Sequence, residues 1–314
     1  MKIITPIVMT DAKLTSTNMT ENDHAVWVAA DYVIGDLVIS TTTHRIYRCI
    51  VAHLLASPVD PDTEWTALDD PLIEDPSTVY WQLISATNIW KLFDEKPSDF
   101  CANATIITAR ITPSEIVRGI GLFGVLGEEV KITMTDPVDG VVFDETISMQ
   151  DETVVIDWWT WWFEPITQLA EYVSVELPPY TDAYIDVTIT NTGGTAQCGQ
   201  IVLGPVMSIG STLIDGSGWS ILDYSFVNLD VYGNLSAVER NSTRLSDFSI
   251  EYDTGLNLAV STKLKSLRGG KAAVWVGSED STKAAQNYGI LLDARPFYQE
   301  GDTMLMSVKI QGLV

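Results

Sequence analysis

Residues 27–53 read WVAADYVIGDLVISTTTHRIYRCIVAH, a run of short apolar alternations cut by turn residues. Three strands are expected in and around it, at 25–28, 37–40 and 46–51. Gly35-Asp36 turns into the second, and residues 41–44 form the hairpin to the third. SPVDPDTEW at 57–65 is a loop broken by Pro and Asp, and YWQLISATNIWKLFD at 80–94 closes the unit. Strands this short bury little surface, so a module over 24–94 must draw its core from aromatic rings. Trp27, Tyr47 and Trp65 are the rings best placed to form that core, or to face a ligand. His44 and His53 flank a strand and are expected on its polar side.

The same reading extends outward. Residues 1–23 open with KIITPIVMT and turn polar, which suggests an extended arm, loose or adding a strand to a neighbouring subunit. Residues 95–210 hold β-branched alternations at 104–111, 119–124, 129–136, 141–148, 170–177, 183–190 and 200–207. Turn residues separate these runs at the spacing of a β-sandwich, and the layout resembles jelly rolls of galactose-binding type. Residues 211–314 mix strands with one helix, expected over 255–267. Leu256, Leu258, Val260, Leu264 and Leu267 favour one side of it, and Gly269-Gly270 ends it. The expected fold is mainly β: a small N-terminal β module, a central jelly-roll-like sandwich, and a C-terminal α+β assembly domain.

One stretch resists burial. Residues 156–164 read IDWWTWWFE, with Trp158, Trp159, Trp161, Trp162 and Phe163 within six positions. On a strand, Trp159 and Trp161 would share one face, and the other rings could not all lie opposite them. Some must project, and an exposed aromatic cluster marks a binding surface. Two uses fit: indole faces stacking sugars beside Asp157 and Glu164, or anchors buried between proteins.

Composition narrows the function. The net charge is −24, and the residues split it as −9 for 1–100, −12 for 101–210 and −3 for 211–314. Such a field repels phosphate backbones, so no nucleic-acid partner is expected. The near-balanced last third suits protein contact. No apolar run approaches the roughly 20 residues of a membrane span. The first residues lack a secretory leader pattern, so synthesis in a cytoplasm is expected. Cys49, Cys101 and Cys198 form no CxxC pair, and only His24, His44 and His53 join them. Buried reduced thiols are expected, with no metal and no cofactor. Asp136, Asp139 and Asp144 could ligate calcium in a jelly roll, but their spacing is that of a hairpin. Serine-hydrolase, zinc-protease and nucleotide-binding motifs do not occur, so no catalytic residues are assigned.

Two resemblances rest on these residues. Trp27, Tyr32, Gly35, Asp36, Val38, Tyr47, Pro58 and Trp65 follow a spacing that resembles small chitin-binding-type carbohydrate-binding modules. Glu64 stands where that family shows a second aromatic. Tyr80-Trp81 followed by Thr87-Asn88-Ile89-Trp90 and Phe93-Asp94 resembles a pattern of tailed-bacteriophage tail and baseplate proteins, as does the ending KIQGLV. The resemblance implies a structural virion component, a homo-oligomer that assembles with other tail or baseplate proteins. A glycan-binding adhesion component is the alternative, with host surface glycan as partner. A polysaccharide-degrading enzyme is the third reading.

Overall fold

Strand formation follows the alternation. In Glu129–Asp136 the side chains of Val130, Ile132 and Met134 are buried while those between them face outward, the period of two that one covered face demands. The computed structural model describes residues 1–54, 59–62, 65–66, 80–151, 155, 157–163, 167–229, 232–279, 285–298 and 302–313. The chain is mainly β.

A five-stranded antiparallel sheet runs in the order Gly140–Ser148, Glu129–Asp136, Tyr184–Cys198, Cys101–Ile111 and Leu14–Thr17. It faces a three-stranded sheet ordered Glu171–Ser174, Gly119–Phe123 and Gln200–Gly204. Ile107, Ile132 and Ile185 from the first meet Ile120, Leu122 and Ile201 from the second in one core. This is the expected sandwich.

The smaller sheet is covered twice. Gly119–Phe123 and Gln200–Gly204 are buried at every position. Their second face, through Phe123 and Val202, packs on Val274, Val276 and Tyr288 of a seven-stranded sheet. Strands with both faces covered read as continuous apolar runs, which is why GIGLF and QIVLG do not alternate. The seven-stranded sheet is ordered Val206–Ser208, Lys2–Ile4, Ala272–Val276, Gln286–Tyr298, Thr303–Gly312, Ser242–Asp253 and Ser211–Asp223. The helix Asn257–Ser266 covers its far face through Val260 and Leu264, joined by Leu267 just after it. Four layers result: five strands, three strands, seven strands, one helix.

The opening residues depart from the arm that was expected. Lys2–Ile4 lies inside the seven-stranded sheet, between Val206–Ser208 and Ala272–Val276. Ile3 enters the core beneath the helix and Ile4 the core against the three-stranded sheet. Three apolar-flanked residues with two buried faces gain more from this slot than from solvent. Further on, Ile7 N–H donates to Leu203 O at 2.9 Å. A Cβ at Gly204 would stand 1.8 Å from Thr5 O, so only glycine admits the crossing. Leu14–Thr17 then pairs with Cys101–Ile111.

The helix follows its sequence signals. Asp253 accepts from Gly255 N–H at 2.6 Å where a 3-10 turn, Thr254–Leu256, leads in. Gly269 and Gly270 leave it at φ 80° and 76°, the left-handed region that ends helices. Leu256 and Leu258, expected on the inward side, are exposed; Leu258 falls half a turn away from Val260. No helix among the described residues is long and apolar enough to cross a membrane.

The N-terminal module is a five-stranded sheet ordered Ala25–Val26, Leu37–Ser40, Arg45–Cys49, Trp81–Ala86 and Trp65–Thr66. Val38, Tyr47, Cys49 and Trp81 form its core, with Trp27, Tyr32, Val59, Tyr80 and Leu83 packed around it. Pro58 and Glu64 lie outside the described residues. A 3-10 turn, Trp90–Phe93, joins module to sandwich, with Leu92 buried in the sandwich core. His44 reinforces the joint. Its ring stacks on Trp90 at 4.3 Å, and its two nitrogens meet Glu21 Oε1 and Asp11 Oδ1, each at 2.7 Å. Thr87 Oγ1 donates to the same Glu21 oxygen at 2.7 Å.

Candidate functional site

The six residues Trp158–Phe163 form a short α-helix and not a strand. Its start is well held. Asp157 Oδ1 accepts from the N–H groups of Trp159 and Thr160, both at 2.9 Å. Thr160 Oγ1 accepts in return from Asp157 N–H at 3.0 Å. These reciprocal bonds satisfy orphan donors at the helix start. The Thr160 and Trp159 amides also hold the Asp157 carboxyl below the ordinary carboxylate range. Both amide bonds fall on the one oxygen Oδ1.

This helix stands away from the body. Gln150–Asp151 pairs with Thr167–Gln168 as a separate two-stranded ribbon. Leu169 N–H donates to Met149 O, and Met149 N–H donates to Glu128 O, tying its base to the sandwich. No side chain of the helix is buried, and its four indoles and Phe163 are 55–77% exposed. The rings touch each other instead. Trp158 meets Trp161 edge-on at 6.0 Å, Trp161 meets Trp162 at 4.9 Å, and Trp159 tilts over Phe163 at 4.2 Å. The result is an aromatic knob whose ring contacts, among the described residues, are with one another.

The module's candidate rings behave otherwise. Tyr47 is fully buried, with its hydroxyl 3.2 Å from Thr43 Oγ1 and 3.4 Å from Asp62 Oδ1. Burial pushes its pKa up. It is closed to any ligand, which corrects its place among the binding residues. The residue sits on the covered face of Arg45–Cys49, where a ring is worth more inside. Trp27 is half-buried against the same core, and its Nε1 has no partner among the described residues. Trp65 is placed by backbone alone, parallel to Trp81; its side chain lies outside the described residues. Trp27, Tyr47 and the knob are therefore not one site.

His53 corrects a second expectation. It is buried rather than on a polar face, with its ring 5.3 Å from Tyr32, 5.3 Å from Trp81 and 5.6 Å from Tyr80. Cys49, Cys101 and Cys198 are buried free thiols, and burial pushes Cys101 up to about 12. Asp136 accepts from Val138 and Asp139 N–H as a hairpin cap, while Asp144 faces Thr133 and Lys131. No cluster of three His, Cys, Asp or Glu residues suited to a metal occurs among the described residues.

Comparison with protein-family models, with curated proteins and with solved structures returns no match. The site must be read from its own geometry.

A second apolar surface escaped the sequence reading. Ser211–Asp223 is the last strand of the seven-stranded sheet, and Phe226–Leu229 with Leu235–Val238 extends beyond it as a hairpin of its own. Trp219, Ile221, Phe226, Val227, Tyr232 and Leu235 are all exposed there. The signal was present in WSILDYSFVNLDVYGNL, where apolar residues occupy both alternating phases with no run long enough to be a buried strand.

Proposed function

We propose that this chain is a structural component of a phage tail or baseplate, working by protein–protein contact and breaking no bonds. One observation carries the reading: five large aromatic side chains, held on a capped helix at the tip of a ribbon, all face outward. Exposing that much ring surface is costly unless a partner covers it, and Trp is the commonest hot-spot residue at protein interfaces. The resemblance of residues 80–94 to tail proteins supplies the virion setting. Supporting it, the knob rides on a four-layer scaffold whose cores fix its base.

Glycan binding by the same knob is the second reading, favoured by indole faces open to solvent at Trp159 and Trp162. The two separate in one experiment. Purified virions are probed with antibody to this chain, and Trp158→Ala/Trp161→Ala is tested for incorporation. Loss of incorporation supports assembly. Normal incorporation, with host-polysaccharide quenching of tryptophan fluorescence lost in the double variant, replaces it with adhesion. Absence from virions removes the proposal.

A further inference from the structure

We infer that the aromatic knob of one copy seats in the groove beside the helix Asn257–Ser266 of the next copy, a head-to-tail contact that repeats. The inference rests on the assembly reading and names what covers the knob.

The groove runs between that helix and the strand Gln286–Tyr298 and encloses about 570 Å³. That lies in the range, roughly 300–1,000 Å³, in which concave sites bury a compact ligand. Its floor is apolar, with Val260 and Met306 both buried, and its rim exposes Leu258 and Leu292. Lys265 and Arg268 line the same groove at the end of the helix. Neither enters an ion pair among the described residues. Asp293, an acid on the wall, is already held by Arg295 at 2.5 Å. The groove therefore presents an apolar floor edged by positive charge.

Charge selects the occupant. Lys263, Lys265, Arg268 and Lys271 fall within nine residues, the densest run of base in the chain, and no acid occurs between Thr254 and Ser278. The knob's stretch is the reverse: residues 149–164 hold Asp151, Glu152, Asp157 and Glu164 and no base. Two copies at −24 repel as wholes, so a lasting contact must bring unlike local charges together. Helix end and knob do so, and indole faces attract cations, Arg above all.

The seat is filled from another copy. Among the described residues no knob residue lines the groove, and no side chain of the knob helix is buried against its own chain. Two different patches meeting make a heterologous contact, in which each copy keeps a knob or a groove to offer to the next. Such contacts close into rings or run on as filaments, which gives the assembly reading its geometry.

Sedimentation equilibrium of the full chain tests this beside two variants, Lys265→Glu/Arg268→Glu in the groove and Trp158→Ala/Trp161→Ala in the knob. The chain is expected above single-chain mass, rising with concentration. Each variant alone is expected at single-chain mass with an unchanged melting temperature. Where the charge reversal lowers that temperature, Lys265→Gln/Arg268→Gln is read in its place. Mixed together, the two variants should form a species of twice the mass and nothing larger, because one supplies an intact knob and the other an intact groove. A chain monomeric at its highest soluble concentration overturns the inference. So does a mixture that stays at single-chain mass, or either variant that still self-associates alone. A monomeric chain whose knob variant is lost from virions overturns this pairing and leaves the assembly reading intact. A mixture that pairs as expected, with the chain absent from virions, does the reverse.

Discussion

Trp81 and Trp161 belong to one chain, one with none of its surface exposed and the other 55% exposed. Around Trp81 the module wraps Tyr32, His53 and Tyr80, and its Nε1–H donates to Val59 O at 2.8 Å. Around Trp161, among the described residues, the ring contacts are with Trp158 and Trp162 of the knob. Both regions are dense in aromatics, yet only one uses them as a core. A small module needs large rings because its strands are short. The knob's helix is capped at its start by Asp157, and its rings face outward.

The largest effect should come from the module. Trp81→Ala is expected to cost about 3–5 kcal/mol, as aromatic-to-alanine changes in cores do. Chemical denaturation followed by amide exchange should show the module opening while the sandwich stays protected. A loss below 1 kcal/mol would put Trp81 in the same class as the knob.

Between the two regions lies the joint. His44→Ala removes two close contacts to carboxylates and a stacked ring, and is expected to destabilise by roughly 2 kcal/mol, given the worth of hydrogen bonds to charged groups. Limited proteolysis between 86 and 101 should speed up. If it does not, Leu92 and Trp90 hold the joint without the histidine.

Asp94 gives a smaller effect of opposite sign. Its Oδ1 accepts from Lys96 N–H at 2.9 Å, and its Oδ2 is buried with no partner among the described residues. Burial, with Asp99 nearby, raises its pKa from 3.8 to about 6. The folded chain therefore keeps a proton that the unfolded chain releases, and stability falls as pH rises from about 4 to about 6. Asp94→Asn should flatten that slope and add about 1 kcal/mol at pH 7, after allowing for solvent screening. A pH-independent gain, or none, would break the assignment.

Smallest of all is the knob. Trp159→Ala should move stability by less than ~0.5 kcal/mol, the range of surface changes, while weakening partner contact. A cost near that of Trp81→Ala would erase the contrast between the regions.

How much of this the sequence shows depends on the distance over which residues act. The sandwich strands are legible because alternation is local: EVKITMTD states its own buried face. The prominence of Trp81 is less so, because its partners Tyr32, Tyr47 and His53 sit well upstream across a broken loop. The knob's projection follows from crowding, but its helix was missed although Asp157 and Thr160, three apart, are a cap signature. The slot for Lys2–Ile4 is least legible. Its two apolar residues hint at two buried faces, yet nothing local names Val206–Ser208 and Ala272–Val276 as neighbours.

That slot sets a timetable for synthesis. The strand Lys2–Ile4 leaves the ribosome well ahead of one of the two strands that flank it, which starts at Ala272. At roughly 5–20 residues per second, the interval lasts on the order of tens of seconds. Until then Ile3 and Ile4 have no finished sheet to enter, and two stretches far apart in sequence must wait to be joined.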